Sequence, residues 1–176
     1  MTDLNVNFRE WRHSDKPSLL KYANNKKIFD NMRDMFPHPY TSEAADSYLT
    51  RVTQDSPPKV FAIEVNGEVV GSVGVFQKED VERLNAEVGY WVAEEYWGKG
   101  IATKALNYII DYGFNTFPVT RIFAIPFPHN LASRKVIEKN GMTLEAVIKD
   151  CLIKNEQIMD MQIYAIRRTM WERRKG

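Results

Sequence analysis

The sequence predicts the mixed α/β fold class, with helices flanking a mostly antiparallel sheet, and two patterns carry this prediction. Two runs rich in β-branched residues flank Asn66-Gly67, and Asn-Gly supplies the positive φ angles of a type I′ hairpin turn. Farther along, a strand over residues 87–92, an amphipathic helix over 101–114 and a strand over 120–125 follow one another. A strand, helix and strand in this order make the two strands parallel.

Composition and length describe an ordinary globular chain. Its 176 residues, 44% hydrophobic and 27% charged, suit a single domain over residues 1–176. A net charge of +1 gives no electrostatic reason to expect nucleic acid as a partner. Residues 1–5 lack a leader pattern and no eighteen apolar residues run together, so we expect a cytoplasmic protein without membrane contact. The single cysteine, Cys151, fits a reducing compartment, and a monomer and a homodimer both remain open.

Local signals define the remaining elements. Pro17 indicates the first turn of a helix, and Thr41 or Ser42 caps a second helix. Asn130 caps a third helix, which Gly141 ends. The other predicted segments are an opening strand over 4–11, two closing strands over 143–153 and 157–166 joined at 154–156, and a basic, solvated tail over 167–175.

Residues 35–40, Met-Phe-Pro-His-Pro-Tyr, predict an irregular segment rich in aromatic side chains. Its two prolines exclude regular structure. The segment is interpreted either as a wall of a substrate site or as a rigid connector to the next helix. The two interpretations are compatible.

Two glycines, Gly98 and Gly100, stand between the 87–92 strand and the helix that follows it. Glycine lets the backbone turn its N–H groups inward, and a helix start adds unpaired N–H groups and the positive end of the helix dipole. The spacing is not that of a Walker loop, and Thr103 stands where a dinucleotide fingerprint has its third glycine. We predict an anion site suited to phosphate oxygens over residues 98–103.

Pro126 predicts an opening in the sheet. Because proline has no N–H to donate, pairing between the two parallel strands is expected to fail near this residue. Main-chain groups of Tyr90, Trp91 and Val92 would then lack a neighbour, and an extended, amide-bearing ligand would bind there like an added strand.

The order of these elements and three short motifs resemble the GNAT superfamily of acetyl-CoA-dependent N-acetyltransferases, and within it the branch that acetylates the N-termini of ribosomal proteins. The resemblance covers nearly the whole chain, from about residue 8 to residue 171. It implies a GNAT-type sheet that splays between its two central strands, with acetyl-CoA as cosubstrate. The motifs are Trp97-Gly98-Lys99-Gly100-Ile101-Ala102, Asn130-x-x-Ser133 and Glu138-Lys139-Asn140-Gly141-Met142.

The resemblance also implies which residues bind the cofactor. In the family, backbone N–H groups of the loop hold the pyrophosphate of coenzyme A, the preceding strand holds the pantetheine arm, and a later helix reaches the thioester. Trp97 stands where Arg or Gln is usual, and since the grip is through the main chain it should not abolish binding. For Asn130, a helix cap alone is the alternative role. The implied cofactor-binding residues are Tyr90, Trp91, Val92, Gly98, Lys99, Gly100, Ile101, Ala102, Thr103, Asn130 and Ser133.

Acetyl transfer from a thioester to an amine requires a neutral amine, a stabilised oxyanion and a proton for the departing thiolate. Glu87 is the candidate base, directly or through water, with an exposed carboxylate or an ion pair as the alternative. The backbone N–H of Val92 is the candidate oxyanion donor. The tyrosine that many family members place on the later helix is Ile137 here, which leaves Ser133, a water or Tyr164 to protonate the thiolate.

A protein or peptide N-terminus, such as that of a ribosomal protein, is the preferred acceptor. An α-amino group of pKa about 7.7–8.0 is roughly one-tenth neutral at pH 7, whereas a lysine of pKa about 10.4 is neutral about once in 2,500 molecules. The alternatives are a small-molecule amine (polyamine, aminoglycoside or amino acid) and a non-catalytic coenzyme A binding module. His13, His38 and His129 lack ligand spacing, so no metal is expected.

Overall fold

The computed structural model describes residues 4–176. The strands are β1 (Val6–Glu10), β2 (Val60–Val65), β3 (Glu68–Gln77), β4 (Asn85–Val92), β5 (Arg121–Ala124), β6 (Thr143–Lys154) and β7 (Gln157–Arg167). The helices are α1 (Lys16–Ala23), α2 (Lys26–Phe29), α3 (Ser42–Val52), α4 (Ile101–Thr116), α5 (Leu131–Lys139) and α6 (Arg168–Arg173). The expectation about a leader in residues 1–5 falls partly on residues 1–3, which lie outside the described residues.

The strands found within residues 4–176 form a seven-stranded sheet in the order β1-β2-β3-β4-β5-β7-β6. Strands β4 and β5 are parallel, whereas β2 pairs with β1 and β3, and β7 pairs with β5 and β6, in antiparallel fashion. The predicted class, a mixed α/β fold with a mostly antiparallel sheet, is confirmed. No helix in this part of the chain is long and apolar enough to cross a bilayer.

The chain divides into two compact units. The first comprises the chain up to Gly74 together with Tyr90–Ala105, and the second comprises Val75–Gly89 and Leu106–Gly176. The boundaries fall inside β3, β4 and α4 rather than in linkers. A single domain stays a prediction.

The first unit contains β1, β2 and most of β3 as an antiparallel meander. At the β2–β3 turn Asn66 has φ 52° and Gly67 has φ 88°, so the predicted type I′ turn is confirmed. Helix α3 follows Thr41, whose hydroxyl caps it as predicted. Leu19 of α1 and Leu49 of α3 are buried, and the two helices contact each other.

Arg9 connects three segments of the first unit. Its Nη1 lies 2.9 Å from Oδ2 of Asp15, and its Nε lies 2.6 Å from Oε2 of Glu64 on β2. The backbone N–H of Arg12 also donates to the Asp15 carboxylate, at 2.9 Å. Burial by itself would raise the pKa of Asp15, but the hydrogen bonds from Arg9 and Arg12 outweigh it and hold that pKa below the ordinary 3.8.

Helix α2 is a difference from the predicted elements. Asn25 caps it, since its Oδ1 accepts from the backbone N–H groups of Lys27 and Ile28 at 2.8 and 3.4 Å. Only four residues long, the helix is too short to show a periodic apolar pattern.

The second unit contains the antiparallel strands β5, β7 and β6. Asn155 and Glu156, both at positive φ, form the predicted β6–β7 connection. Helix α5 starts after the Asn130 cap and ends before Gly141, whose φ of 75° is the predicted left-handed conformation.

The prediction of a solvated basic tail is wrong for Arg168 and Trp171. Arg168 starts helix α6, and its Nη2 donates to the carbonyl oxygens of Phe114 and Val119 at 2.8 and 2.9 Å. The last carbonyls of a helix lack internal partners, and α4 ends at Thr116, so a guanidinium satisfies them. Trp171 is 8% exposed and donates its indole N–H to Asp111.

Candidate active site

The glycine loop, defined here as Trp97–Thr103, lies in the first unit and joins β4 to α4. Gly98 has φ 74° and Gly100 has φ 76°, a conformation that side chains with a Cβ adopt only with strain. A Cβ at either glycine would meet no atom within 4 Å, so the backbone of the loop faces open space. Residues 97–100 are exposed. A ligand can approach this main chain closely.

The start of α4 adds unpaired donors to the loop. Lys104 N–H donates to the Gly100 carbonyl at 3.1 Å. The N–H groups of Ile101 and Ala102 therefore precede the helical hydrogen-bond ladder. These N–H groups and the helix dipole are the features on which the predicted anion site over residues 98–103 depends, and the site itself stays a prediction.

The end of β4 offers one edge to a ligand. Ala93 N–H donates to the Val70 carbonyl on β3 at 2.7 Å, and a Cβ at Gly71 would lie 2.4 Å from the Trp91 oxygen. Because main-chain groups alternate between the two edges of a strand, residues 91 and 93 face β3, and Tyr90 and Val92 face the other edge.

The Val92 carbonyl already has a partner. The indole Nε1 of Trp97 donates to it at 2.7 Å. The hypothesis that the main-chain groups of Tyr90, Trp91 and Val92 all lack a protein neighbour is therefore wrong for this carbonyl, and it is wrong for Trp91, whose main chain faces β3. For the carbonyl, the reason is that Trp97 places its indole N–H within reach of the strand end.

The turn before the glycine loop is tied to α2. Glu94 accepts from the Asn25 side-chain amide at 2.9 Å and forms an ion pair with Lys27. These hydrogen bonds, from Lys27 first and Asn25 second, hold the pKa of Glu94 below its usual value. Asn25 thus caps α2 and fixes the approach to the loop with one side chain.

An aromatic wall, formed by Phe36, Tyr40 and Trp91, covers part of β4 in the first unit. The ring centroid of Phe36 lies 5.2 Å from that of Tyr40 and 6.0 Å from that of Trp91. Burial raises the pKa of Tyr40 to about 12, so its hydroxyl stays neutral. Tyr40 and Trp91 are both buried, so these ring contacts are packing within the first unit, and both interpretations of residues 35–40 stay predictions.

Glu87 lies in the second unit, at the point where β4 and β5 stop pairing. The parallel ladder joins Asn85, Ala86 and Glu87 to residues 121–123 and ends before Pro126, as predicted. Oε2 of Glu87 lies 2.9 Å from Nζ of Lys78, and the carboxylate side chain is 18% exposed. The ion pair that was the alternative for Glu87 therefore exists, and a catalytic role stays a prediction.

Asn130 and Ser133 meet at the start of α5. Oδ1 of Asn130 accepts the backbone N–H of Ser133 at 3.0 Å, so the cap is present and uses the amide oxygen. Arg134 donates from Nε to the hydroxyl oxygen of Tyr164 at 3.1 Å. Tyr164, one of the candidate proton donors, is 1% exposed and oriented by this guanidinium.

Sequence reasoning missed three partners of the candidate residues: the Trp97 indole, Lys78 and Arg134. Lys78 was within reach of a sequence argument, because a meander brings the residue after β3 close to the start of β4, and Lys78 N–H indeed donates to the Asn85 carbonyl. The bonds made by Trp97 and Arg134 depend on side-chain placement, which no spacing in the sequence indicates.

The family model described as "Acetyltransferase (GNAT) domain" matches residues 5–143. The chain belongs to the GNAT acetyltransferase family. It is an acyltransferase, and the GNAT resemblance described above is confirmed.

Two relatives and one solved structure place this GNAT acetyltransferase among its neighbours. It is 33% identical over 110 residues to the "Putative ribosomal N-acetyltransferase YdaF" of Bacillus subtilis (strain 168), covering 62% of this chain and 60% of that one. It is 29% identical over 142 residues to the spermidine N(1)-acetyltransferase of Escherichia coli (strain K12), covering 80% and 74%. The structure of Mycobacterium smegmatis RimJ in complex with CoA-disulfide superposes with a TM-score of 0.78 at 26% identity, covering 93% and 82%.

Coverage varies among the relatives of this GNAT acetyltransferase. The chain spans 55 to 60% of the length of two of the Bacillus subtilis proteins that it matches. The names of these two relatives include different classes of acceptor, protein and polyamine. Similarity alone therefore does not choose between the two acceptor classes.

Proposed function

We propose that this chain transfers the acetyl group of acetyl-CoA to the α-amine of a protein or peptide N-terminus, by direct attack in a ternary complex. The glycine loop is the observation that carries the cosubstrate, because its two left-handed glycines border open space and the start of α4 leaves N–H groups outside the helical hydrogen-bond ladder. A diphosphate carries the charge and the acceptor oxygens that such donors bind. The coenzyme A complex of RimJ supports the same cosubstrate.

Each part of the cofactor has proposed contacts. The main chain of Gly98, Lys99, Gly100, Ile101, Ala102 and Thr103 holds the diphosphate. Tyr90 and Val92, whose main chain faces away from β3, contact the pantetheine arm, with the Val92 N–H available as a donor. Trp91 faces β3 and is left out of this main-chain contact. Asn130 and Ser133 are proposed, from the family resemblance, for the acyl end of the cofactor.

The chemistry follows from these assignments. The neutral amine attacks the thioester carbonyl carbon, and the Val92 N–H stabilises the oxyanion that forms. Glu87 takes the proton released by the amine, directly or through water. The carbon–sulfur bond then breaks, and Ser133 or a water protonates the thiolate.

The composition of residues 35–40 supports a peptide as acceptor. The segment includes no carboxylate, and the hydroxyl of Tyr40 is neutral. A polyamine carries several positive charges and is bound best by acidic side chains. A peptide N-terminus instead offers one amine and an adjacent side chain that a partly exposed ring such as that of Phe36 can contact.

Acetylation of a small polyamine is the second candidate. It is favoured by the similarity to the spermidine acetyltransferase, which extends over 80% of this chain.

The test is a set of acceptor assays that follow acetyl-CoA consumption. Two peptides of one sequence are compared, one with a free α-amine and a blocked lysine, the other with the blocking reversed. The free α-amine should react at least about 100-fold faster at pH 7, because its neutral fraction is about 250-fold larger. Spermidine and an aminoglycoside complete the set.

Three results would contradict the proposal. Preference for spermidine would assign the second candidate function. Equal rates with the two peptides would exclude selection of an N-terminus. Binding of acetyl-CoA without turnover of any amine would indicate a non-catalytic binding module.

A further inference from the structure

Trp97, the first residue of the glycine loop, is held in place by a hydrogen bond rather than by burial. Its indole is 45% exposed, whereas Trp11, Trp91 and Trp171 are 4 to 8% exposed. Its Nε1 nevertheless donates to the Val92 carbonyl at 2.7 Å, within the range of a well-formed hydrogen bond. The ring is thus only partly buried, and its N–H is bound to the strand end.

This hydrogen bond closes the short connection between β4 and the glycine loop. Within the connection, Tyr96 N–H donates to the Ala93 carbonyl at 2.9 Å, and Trp97 N–H donates to the Glu94 carbonyl at 3.0 Å. Gly98 follows directly at φ 74°. The direction in which the loop leaves the strand is thus fixed on both sides of residue 97.

We infer that Trp97 is a positioning residue for the diphosphate of the cosubstrate, an inference that rests on the proposed function. The indole bond holds the glycine loop in the one conformation in which its N–H groups face the ligand. Preorganised donors bind more tightly, because the ligand does not have to order them. A rigid ring with a single N–H suits this task, since it has fewer rotatable bonds than the Arg or Gln that is usual at this position in the wider family.

Loss of the indole N–H should affect some acetyl donors and not others. The loop faces the diphosphate, so loss of the indole N–H should weaken donors that carry a diphosphate and spare those that lack one. Because the Val92 carbonyl accepts the indole N–H, it is not expected to accept from the pantetheine amides as well. The pantetheine amides would then pair with other main-chain groups of the protein. A general loss of stability would instead affect every donor alike.

The experiment replaces the indole N–H with the smallest possible change. Trp97 is substituted by 3-benzothienylalanine, in which sulfur takes the place of the N–H, and separately by W97F. Y96F, one residue away in the same connection, is the matched control. Each protein is assayed with acetyl-CoA and with S-acetylpantetheine, which has the same thioester arm without the diphosphate, and coenzyme A binding is measured by calorimetry.

Both Trp97 substitutions should raise the KM for acetyl-CoA and the Kd for coenzyme A about fivefold to tenfold, the change that one hydrogen bond supplies. The kcat, and kcat/KM with S-acetylpantetheine, should stay within about twofold of the unsubstituted protein. The inference is overturned if acetyl-CoA kinetics do not change, or if both donors lose equally. If the unsubstituted protein does not bind coenzyme A, the proposed function itself fails, and that result is distinct from the other two.

Discussion

At the scale of single residues, Glu87 has two interpretations that one comparison separates. Its carboxylate lies 2.9 Å from the Lys78 ammonium, so it is at least an ion-pair partner. As the general base, Glu87 would have a large effect on kcat. As a member of a partly exposed ion pair, it would contribute only a small amount of unfolding free energy.

We expect E87Q to lower kcat by about 100-fold or more, in the range of general-base catalysis. K78M is the matched control, because it breaks the same ion pair and keeps the carboxylate, and its kcat should stay within about threefold. Steady-state kinetics with the accepted peptide measure both. Equal losses in the two variants would reduce Glu87 to a structural residue.

The residues of the site show where sequence reasoning stops. The turn at Gly98 and Gly100 and the helix cap at Asn130 occur where the sequence predicts them, because glycine and asparagine are local signals for these conformations, whereas their roles in the site stay predictions. Trp97 and Lys78 act through side-chain contacts across the chain, and their partners are set by the packing of elements. The contact partners of Trp97 and Lys78 can be identified only once the fold is known.

At the scale of elements, the glycine loop and the β2–β3 hairpin provide a matched pair. Gly100 and Gly67 have φ of 76° and 88°, and a Cβ at either would meet no atom within 4 Å. Alanine should therefore cost both elements a similar amount, about 1–2 kcal/mol of unfolding free energy.

Only G100A should affect the cofactor. Strain at φ 76° turns the N–H groups of the loop away from the ligand, and we expect the Kd for coenzyme A to rise about tenfold or more. Calorimetry of G100A and G67A, beside their urea unfolding curves, makes the comparison. If G67A weakened binding as much as G100A, the loop would have no special role.

The elements differ in how far sequence determines them. The β2–β3 hairpin and α5 have complete local signals at their ends, and both occur as predicted. Helix α6 depends on the hydrogen bond from Arg168 to the Phe114 carbonyl near the end of α4. This is a tertiary contact, and the basic composition of the tail does not predict it. Helix α2 is shorter than two turns, so its apolar face has no period to detect.

At the scale of the whole molecule, stability at low pH should depend on Asp15. Its pKa lies below the ordinary 3.8, so its stabilising contribution is complete above about pH 4 and is lost as the pH falls through the folded-state pKa. We expect D15N to lower the free energy of unfolding by about 2 kcal/mol at pH 7, since it removes charged hydrogen bonds from Arg9. The difference from the unsubstituted protein should shrink below pH 3.8.

D46N is the control for this prediction. Asp46 pairs with Lys16 at 2.7 Å, but its side chain is 60% exposed, and such pairs contribute under about 1 kcal/mol. Urea unfolding at pH 7 and at several values below pH 4 measures both variants. A D15N deficit that persisted undiminished in acid would show that the charge of Asp15 is not its source.

The four tryptophans are unevenly distributed between interior and surface, and this gives the protein an optical property. Three indoles are shielded from water, and the fourth, Trp97, lies half in solvent at the glycine loop. A dissolved quencher such as iodide therefore reaches one fluorophore selectively. The chain carries its own emission label at the place where the diphosphate is proposed to bind, and no dye has to be attached to read it.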